Sequence, residues 1–203
     1  MTNADDALLD RLYAPPSETI QKMVLPQLVP FHIDYLRVAR FFCLATGRDD
    51  GMDASPRGGA PGFVQVVDAH HLAFADWPGN NRIESMRNLA HDAHLGMLFL
   101  FPGLDIFLRI NGRGRISTEP ALLARLAEGD KLPKTAIVVE IDQVLFHCGK
   151  AVNRAALWDG TQHLGRDAVP SVGAMRAAMT GGDASQAQAV DADYARAVRQ
   201  DLY

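Results

Sequence analysis

Three tight connections decide what this chain can become. FFCLATG (41–47) is joined to MDASPRG (52–58) by RDDG, GFVQVVD (62–68) to HLAFADW (71–77) by Ala69-His70, and AHLGMLFLFPG (93–103) to DIFLRINGRGRIS (105–117) through Pro102-Gly103. A parallel pair needs a crossover of a dozen or more residues, so links this short impose antiparallel hairpins. A further long strand, TAIVVEIDQVLFHC (135–148), brings the expected number to six or seven. So many short antiparallel strands are closed most economically into a small barrel. The expected fold class is mainly β (α+β): a six- to seven-stranded antiparallel barrel with peripheral helices.

Helical patterns flank and interrupt the strands. Residues 1–40 carry helical periodicity broken by Pro15-Pro16, Pro26 and Pro30. A helix is predicted after WPGNN, opening with Arg82 behind an asparagine cap, its apolar stripe formed by Ile83, Met86, Leu89 and Ala90. EPALLARLAEGD (119–130) predicts another, started by Ser117 or Thr118 with Pro120 in its first turn. CGKAVNRAALW (148–158) predicts a short helix, and alanine-rich 170–203 one or two more around a GGD break. The expected organisation is one domain: a helical segment over 1–40, the barrel over 41–160 and a helical appendage over 161–203.

Composition narrows the function. With a net charge of −4 and a pI near 5.9, the chain is no general binder of nucleic acid or anionic membrane. Its two cysteines, Cys43 and Cys148, have no metal-ligand spacing and suit a reducing cytoplasm. The N-terminus lacks the basic and apolar blocks of a signal peptide, and no apolar run is long enough to span a bilayer, so a cytoplasmic protein is expected. GxxxxGK[ST], HExxH, GxSxG and CxxC are all absent. Gly112-Arg113-Gly114-Arg115 lies within a strand pattern and is no dinucleotide loop. His91 with His94, and His70 with His71, read as surface polar residues, with no metal expected. His147 and Cys148 are adjacent in a strand and point to opposite faces.

What remains is a basic set with no catalytic acid or base beside it. Ser55 and Arg57 alternate onto one face of a strand end, as do Arg109 and Asn111 on another strand, and Lys150 and Arg154 lie one helical turn apart. Arg82 follows Asn80-Asn81 at the predicted helix start, where free N–H groups already favour an anion. Singly these are ordinary solvated residues; together they suit a phosphate attached to a polar planar ring.

FFCLATGRDDGMDASPRGGAPGFVQV, LAFADWPGNNRIESMRNL, LGMLFLFPG, LRINGRGRIS and FHCGKAVNRAALW, in this order over about residues 30 to 160, together resemble the pyridoxamine 5′-phosphate oxidase-like family of FMN-binding split β-barrels. The resemblance implies a homodimer with FMN at the subunit interface. Ser55, Arg57 and Gly58 would contact the ring edge or the phosphate, and Asp76 the ribityl chain or ring. Asn80, Asn81 and Arg82 would hold the phosphate, while Arg109 and Asn111, with Lys150 and Arg154, would approach from the other strand set or the partner chain. The oxidases that form pyridoxal phosphate carry a basic pair after the phosphate-loop glycine, where this chain has Asn81-Arg82. Their long C-terminal substrate segment has no counterpart in 170–203. The expectation is therefore an FMN-dependent oxidoreductase acting on a small molecule other than a B6 vitamer. The alternatives are a flavin- or haem-binding module without turnover, or a reductase using the deazaflavin F420. A third reading is a barrel without ligand, in which Arg82 pairs with Glu84, Asp76 or a partner surface.

Overall fold

The computed structural model describes residues 4–79 and 81–202, and the chain divides into two compact units, Met1–Lys150 and Ala151–Tyr203. In the first unit, helices α1 (Ala4–Leu12), α2 (Glu18–Lys22) and α3 (Pro30–Val38) precede a seven-stranded sheet. Its strands are β1 (Phe41–Arg48), β2 (Gly51–Gly58), β3 (Val64–Val66), β4 (His71–Asp76), β5 (His94–Leu100), β6 (Ile106–Ser117) and β7 (Thr135–Cys148). Helix α4 (Glu84–Leu89) lies between β4 and β5, and α5 (Pro120–Arg125) between β6 and β7. The spatial order is β2-β1-β5-β6-β7-β4-β3, and every pairing is antiparallel. The end strands β2 and β3 are not hydrogen-bonded to each other, so the barrel is split rather than closed.

All three hairpins form as their short links require. In the turn between β5 and β6, Leu104 N–H donates to the Phe101 carbonyl at 2.9 Å and Gly103 takes φ +85°. Proline at the second position and a positive-φ glycine at the third are the residues such a turn favours. The strand predicted over 62–68 shortens to Val64–Val66. Pro56 is accommodated because β2 is an edge strand with only one neighbour.

Concave-face residues form one core around Phe42, which packs against Phe63, Phe74 and Phe99 at ring-centroid distances of 5.7, 5.0 and 4.9 Å. A smaller cluster on the other face (Ala73, Leu126, Ala136 and Val138) lies under α5. A bulge between Asn111 and Gly112 slips the β6–β7 register, so Ile141 and Val144 both enter the main core despite their odd spacing. Gly112 is required there: a Cβ on it would overlap the Glu140 carbonyl oxygen and lie 3.1 Å from its carbon. The paired glycines of INGRG thus serve strand packing.

Two helices differ from expectation. Helix α4 begins at Glu84 rather than Arg82, and its N-cap is Ile83, which offers no side-chain cap. Asn81 instead adopts φ +60°, a left-handed conformation that asparagine tolerates and that keeps the chain out of the helix. The buried positions are Ser85, Met86, Asn88 and Leu89, whereas Ile83 and Ala90 are exposed. Helix α5 is capped by Glu119 without a side-chain hydrogen bond, and the Ser117 hydroxyl accepts from Glu119 N–H outside the helix.

The second unit begins within α6 (Lys150–Arg154), continues through a 3-10 turn (Gly160–Gln162), and ends in the helices α7 (Val172–Thr180) and α8 (Ala184–Gln200). The GGD break works as read: Gly181 takes φ +74°, Gly182 N–H closes onto Ala177, and Asp183 caps α8 with Gln186. Asp191 of α8 accepts from Ser171 and from Gly173 N–H, tying the two helices together.

Candidate functional site

Strand β2 presents Asp53, Ser55 and Arg57 on one face, opposite Thr46, Leu44 and Phe42 of β1. Directly paired residues share a face, and these partners belong to the buried interior, so the polar row looks inward at the split. Phe42, wholly buried, thus lies beside Arg57 in the ladder. The Arg57 guanidinium donates to the Pro56 carbonyl, yet its Nε is buried without a hydrogen-bond partner among the described residues. Such an orphaned donor carries a desolvation cost that a bound acceptor would relieve.

Asp76, at the end of β4, follows Phe74 on the inward face. Burial pushes its carboxyl above the usual 3.8, and the positive charge of Arg57 pulls it back down. The positive charge of Arg57 is therefore felt at Asp76. Ser55 joins a different cluster: its hydroxyl donates to Asp53 Oδ2 at 2.8 Å, and the Ser85 hydroxyl reaches the same oxygen at 2.9 Å. Gly58 is exposed at the end of β2, one residue beyond Arg57.

Arg82 lies just before α4, and its Nε donates to Glu84 Oε1 at 3.0 Å. Asn81 is exposed beside it, and Asn80 lies outside the described residues. The pairing of Arg82 with Glu84 is one the sequence allowed, and it holds the guanidinium near the start of α4.

Arg109 and Asn111 stand apart from this group. Their neighbours Leu108 and Ile110 point into the core, so both project from the opposite, outward face. Asn111 aligns there with Ala45, Gly96 and Gln143, and Arg109 with Cys43, Leu98 and Leu145. Within one chain the sheet separates this pair from Arg57. Lys150 follows β7 at the start of α6, near the point where Gly149 N–H donates to the Asp105 carbonyl. Arg154 ends that helix and belongs to the second unit.

Sequence reasoning missed Asp53, Ser85 and Asn88. Asn88 is buried and donates to the Thr46 hydroxyl at 3.1 Å. The signal was present in RIESMRNL: Ser85 and Asn88 are three apart, on the flank of the face that holds Met86 and Leu89. On the α5 side of β3 and β4, away from the face that carries Asp76, a cleft of about 270 Å³ is lined in part by Phe63, Gln65, Ala75, Trp77, Arg125 and Glu128.

His71 pairs with Asp68, His94 with Asp92, and His91 with the Arg87 carbonyl. No group of three or more metal-ligating side chains occurs among the described residues. None of the described helices is long and apolar enough to cross a membrane.

An antiparallel split barrel with an inward arginine at its open end defines the class, and comparison with known families agrees. Residues 30–148, more than half of the chain, match the pyridoxamine 5′-phosphate oxidase family, and the chain belongs to it. Solved structures with a similar fold include Group A Streptococcus HupZ, 17% identical with a TM-score of 0.46, covering 58% of this chain and 92% of that one. An FAD binding protein from Mycobacterium smegmatis is 15% identical with a TM-score of 0.42, covering 61% and 97%. An F420 reductase is 19% identical with a TM-score of 0.39, covering 56% and 94%. No curated protein sequence matches significantly.

Proposed function

We propose that the protein binds FMN at the split of its barrel and uses it in redox chemistry on a small molecule, as a cytoplasmic homodimer. The observation that carries this reading is Arg57: a cation on the inward face whose Nε is buried and unpaired, beside the half-buried Asp76. A flavin phosphate or ring carbonyl is an acceptor of the kind this donor lacks. Bound flavin supplies hydride and one-electron transfer, which fits a site without a catalytic acid–base pair.

The remaining roles fall to named side chains. Arg82 and Asn81, with Asn80, hold the phosphate; Arg57 binds the ring edge or phosphate, with Gly58 beside it. Asp76 lies along the ribityl chain or ring. Arg57 or Lys150 offsets the negative charge of the reduced ring. Arg109 and Asn111 project from the outward face, so they reach the cofactor only from a second subunit, and Lys150 joins them.

The test is the absorbance spectrum of freshly purified protein, followed by acid release and chromatography of any chromophore. FMN recovered at about one per chain is the expected result. A colourless protein that quenches no added FMN fluorescence refutes the cofactor, and release of a deazaflavin replaces it with F420. Reduction of the bound chromophore by NADH or NADPH separates turnover from storage. Arg82→Ala is expected to weaken FMN binding more than Arg166→Ala, and equal affinities refute the phosphate assignment.

A further inference from the structure

Ser55 was expected to touch the cofactor, but the hydrogen count around it points elsewhere. A serine hydroxyl has one hydrogen to donate. That of Ser55 goes to Asp53 Oδ2 at 2.8 Å, and that of Ser85 goes to the same oxygen at 2.9 Å. The Ser85 hydroxyl also donates toward Ser55 Oγ at 3.2 Å, so its one hydrogen stays within the cluster on either acceptor. Both hydrogens are thus spent inside the cluster, and neither serine has one left for a phosphate oxygen.

The cluster instead joins two distant parts of the chain. Asp53 and Ser55 belong to the edge strand β2, Ser85 to the first turn of α4, 32 residues from Asp53. Glu84, next to Ser85, grips Arg82 at 3.0 Å and feels the charge of Asp53. A second tie, Asn88 to Thr46, fixes the next turn of the same helix to β1. Helix α4 has only six residues and no side-chain cap, so its placement depends on such ties.

We propose that Asp53 is a positioning residue: through Ser85 it fixes the start of α4, and with it the Glu84–Arg82 pair, so that Arg82 meets the flavin phosphate. Ser55 supports the carboxylate and does not bind the cofactor. This rests on the FMN reading above and assigns its phosphate site an internal support.

The experiment measures FMN and riboflavin affinity by flavin fluorescence quenching in the wild type and in Asp53→Ala, Ser85→Ala, Asp53→Asn, Ser55→Ala, Arg82→Ala and the Asp53→Ala/Arg82→Ala pair. Asp53→Ala and Ser85→Ala are expected to weaken FMN about five- to tenfold, each on the scale of one lost hydrogen bond, and to leave riboflavin unchanged. Asp53→Asn keeps an acceptor for Ser85 and retains most of the affinity. Ser55→Ala stays within about twofold. In the Arg82→Ala background, Asp53→Ala has no further effect, a coupling that general loss of stability would not produce.

Additive losses, or equal losses for FMN and riboflavin, overturn the proposal while leaving the cofactor in place. A tenfold loss in Ser55→Ala also overturns it. Wild-type protein that binds neither flavin refutes the cofactor reading, and the proposal with it.

Discussion

Gly112 and Gly96 sit on adjacent strands, yet alanine at the two positions should behave in opposite ways. At Gly112 the added Cβ would overlap the Glu140 carbonyl oxygen and lie 3.1 Å from its carbon and 3.3 Å from Ile141 Cα. These are backbone atoms of the central strand β7, which cannot swing aside as a side chain could. Overpacking of this kind costs about 1–3 kcal/mol. Spreading β6 from β7 at the bulge also weakens the flanking ladder, at about 1 kcal/mol per lost hydrogen bond. Two such bonds bring the total to about 3–5 kcal/mol, a large share of an ordinary domain's stability of about 5–15 kcal/mol. At Gly96 the nearest atoms are Asn111 Oδ1 at 3.5 Å and Ala45 Cβ at 3.8 Å, ordinary contacts on an open face. Alanine there is neutral, or stabilising by about 0.5–1 kcal/mol because glycine is costly in a strand. Urea unfolding followed by tryptophan fluorescence measures the difference. With a slope of about 2 kcal/mol per molar, Gly112→Ala lowers the midpoint by roughly 2 M. A midpoint within about 0.3 M of wild type would refute the argument from close approach.

Other outcomes follow from the same structure. His32 is 1% exposed, accepts from Val29 N–H at 3.3 Å through Nδ1, and burial holds its imidazole below the usual 6.5. As pH falls through 6.5 the unfolded chain takes up a proton that the folded one resists, so stability declines below that pH. His32→Gln should flatten this part of the stability profile, and an unchanged slope would show that another group is responsible. Arg57→Ala removes the charge that opposes the burial of Asp76, so that carboxyl should titrate higher still in a carbon-detected NMR titration. Because the raised group lets the unfolded chain lose its proton first, stability falls as pH rises from 3.8 to the folded value, and in Arg57→Ala that fall extends further up. No movement of Asp76 would mean the two groups do not interact. If the proposed homodimer pairs through the outward face beside Arg109, Leu98→Asp should give a monomer in sedimentation where the wild type is a dimer, with the fold retained by circular dichroism; a variant that sediments as the wild type does refutes that interface.

The strands were legible because their signal is local. Hairpin links and alternation placed β1, β2 and β4–β7 within a few residues, and TAIVVEIDQVLFHC matches β7 residue for residue. The shared faces of Ser55 with Arg57 and of Arg109 with Asn111 follow from period two alone. Where tertiary contacts govern, the reading failed. Period 3.6 chose Ile83 and Ala90 for the buried face of α4, whereas Ser85 and Asn88 occupy it because β1 and β2 supply Thr46, Asp53 and Ser55 as partners. The asparagine cap was lost because Asn81 turns left-handed before the helix begins. No periodicity reveals that Arg57 Nε lacks a partner, since that depends on what a folded neighbourhood fails to provide.

The split leaves two sheet edges, and each discourages another chain from adding on. β3 contributes only Val64–Val66, too little ladder to template a foreign strand. β2 is longer, but Pro56 has no N–H to offer, and Asp53 and Arg57 flank it with charge. Edge-to-edge growth, an association with no natural end, is thereby opposed at both strands.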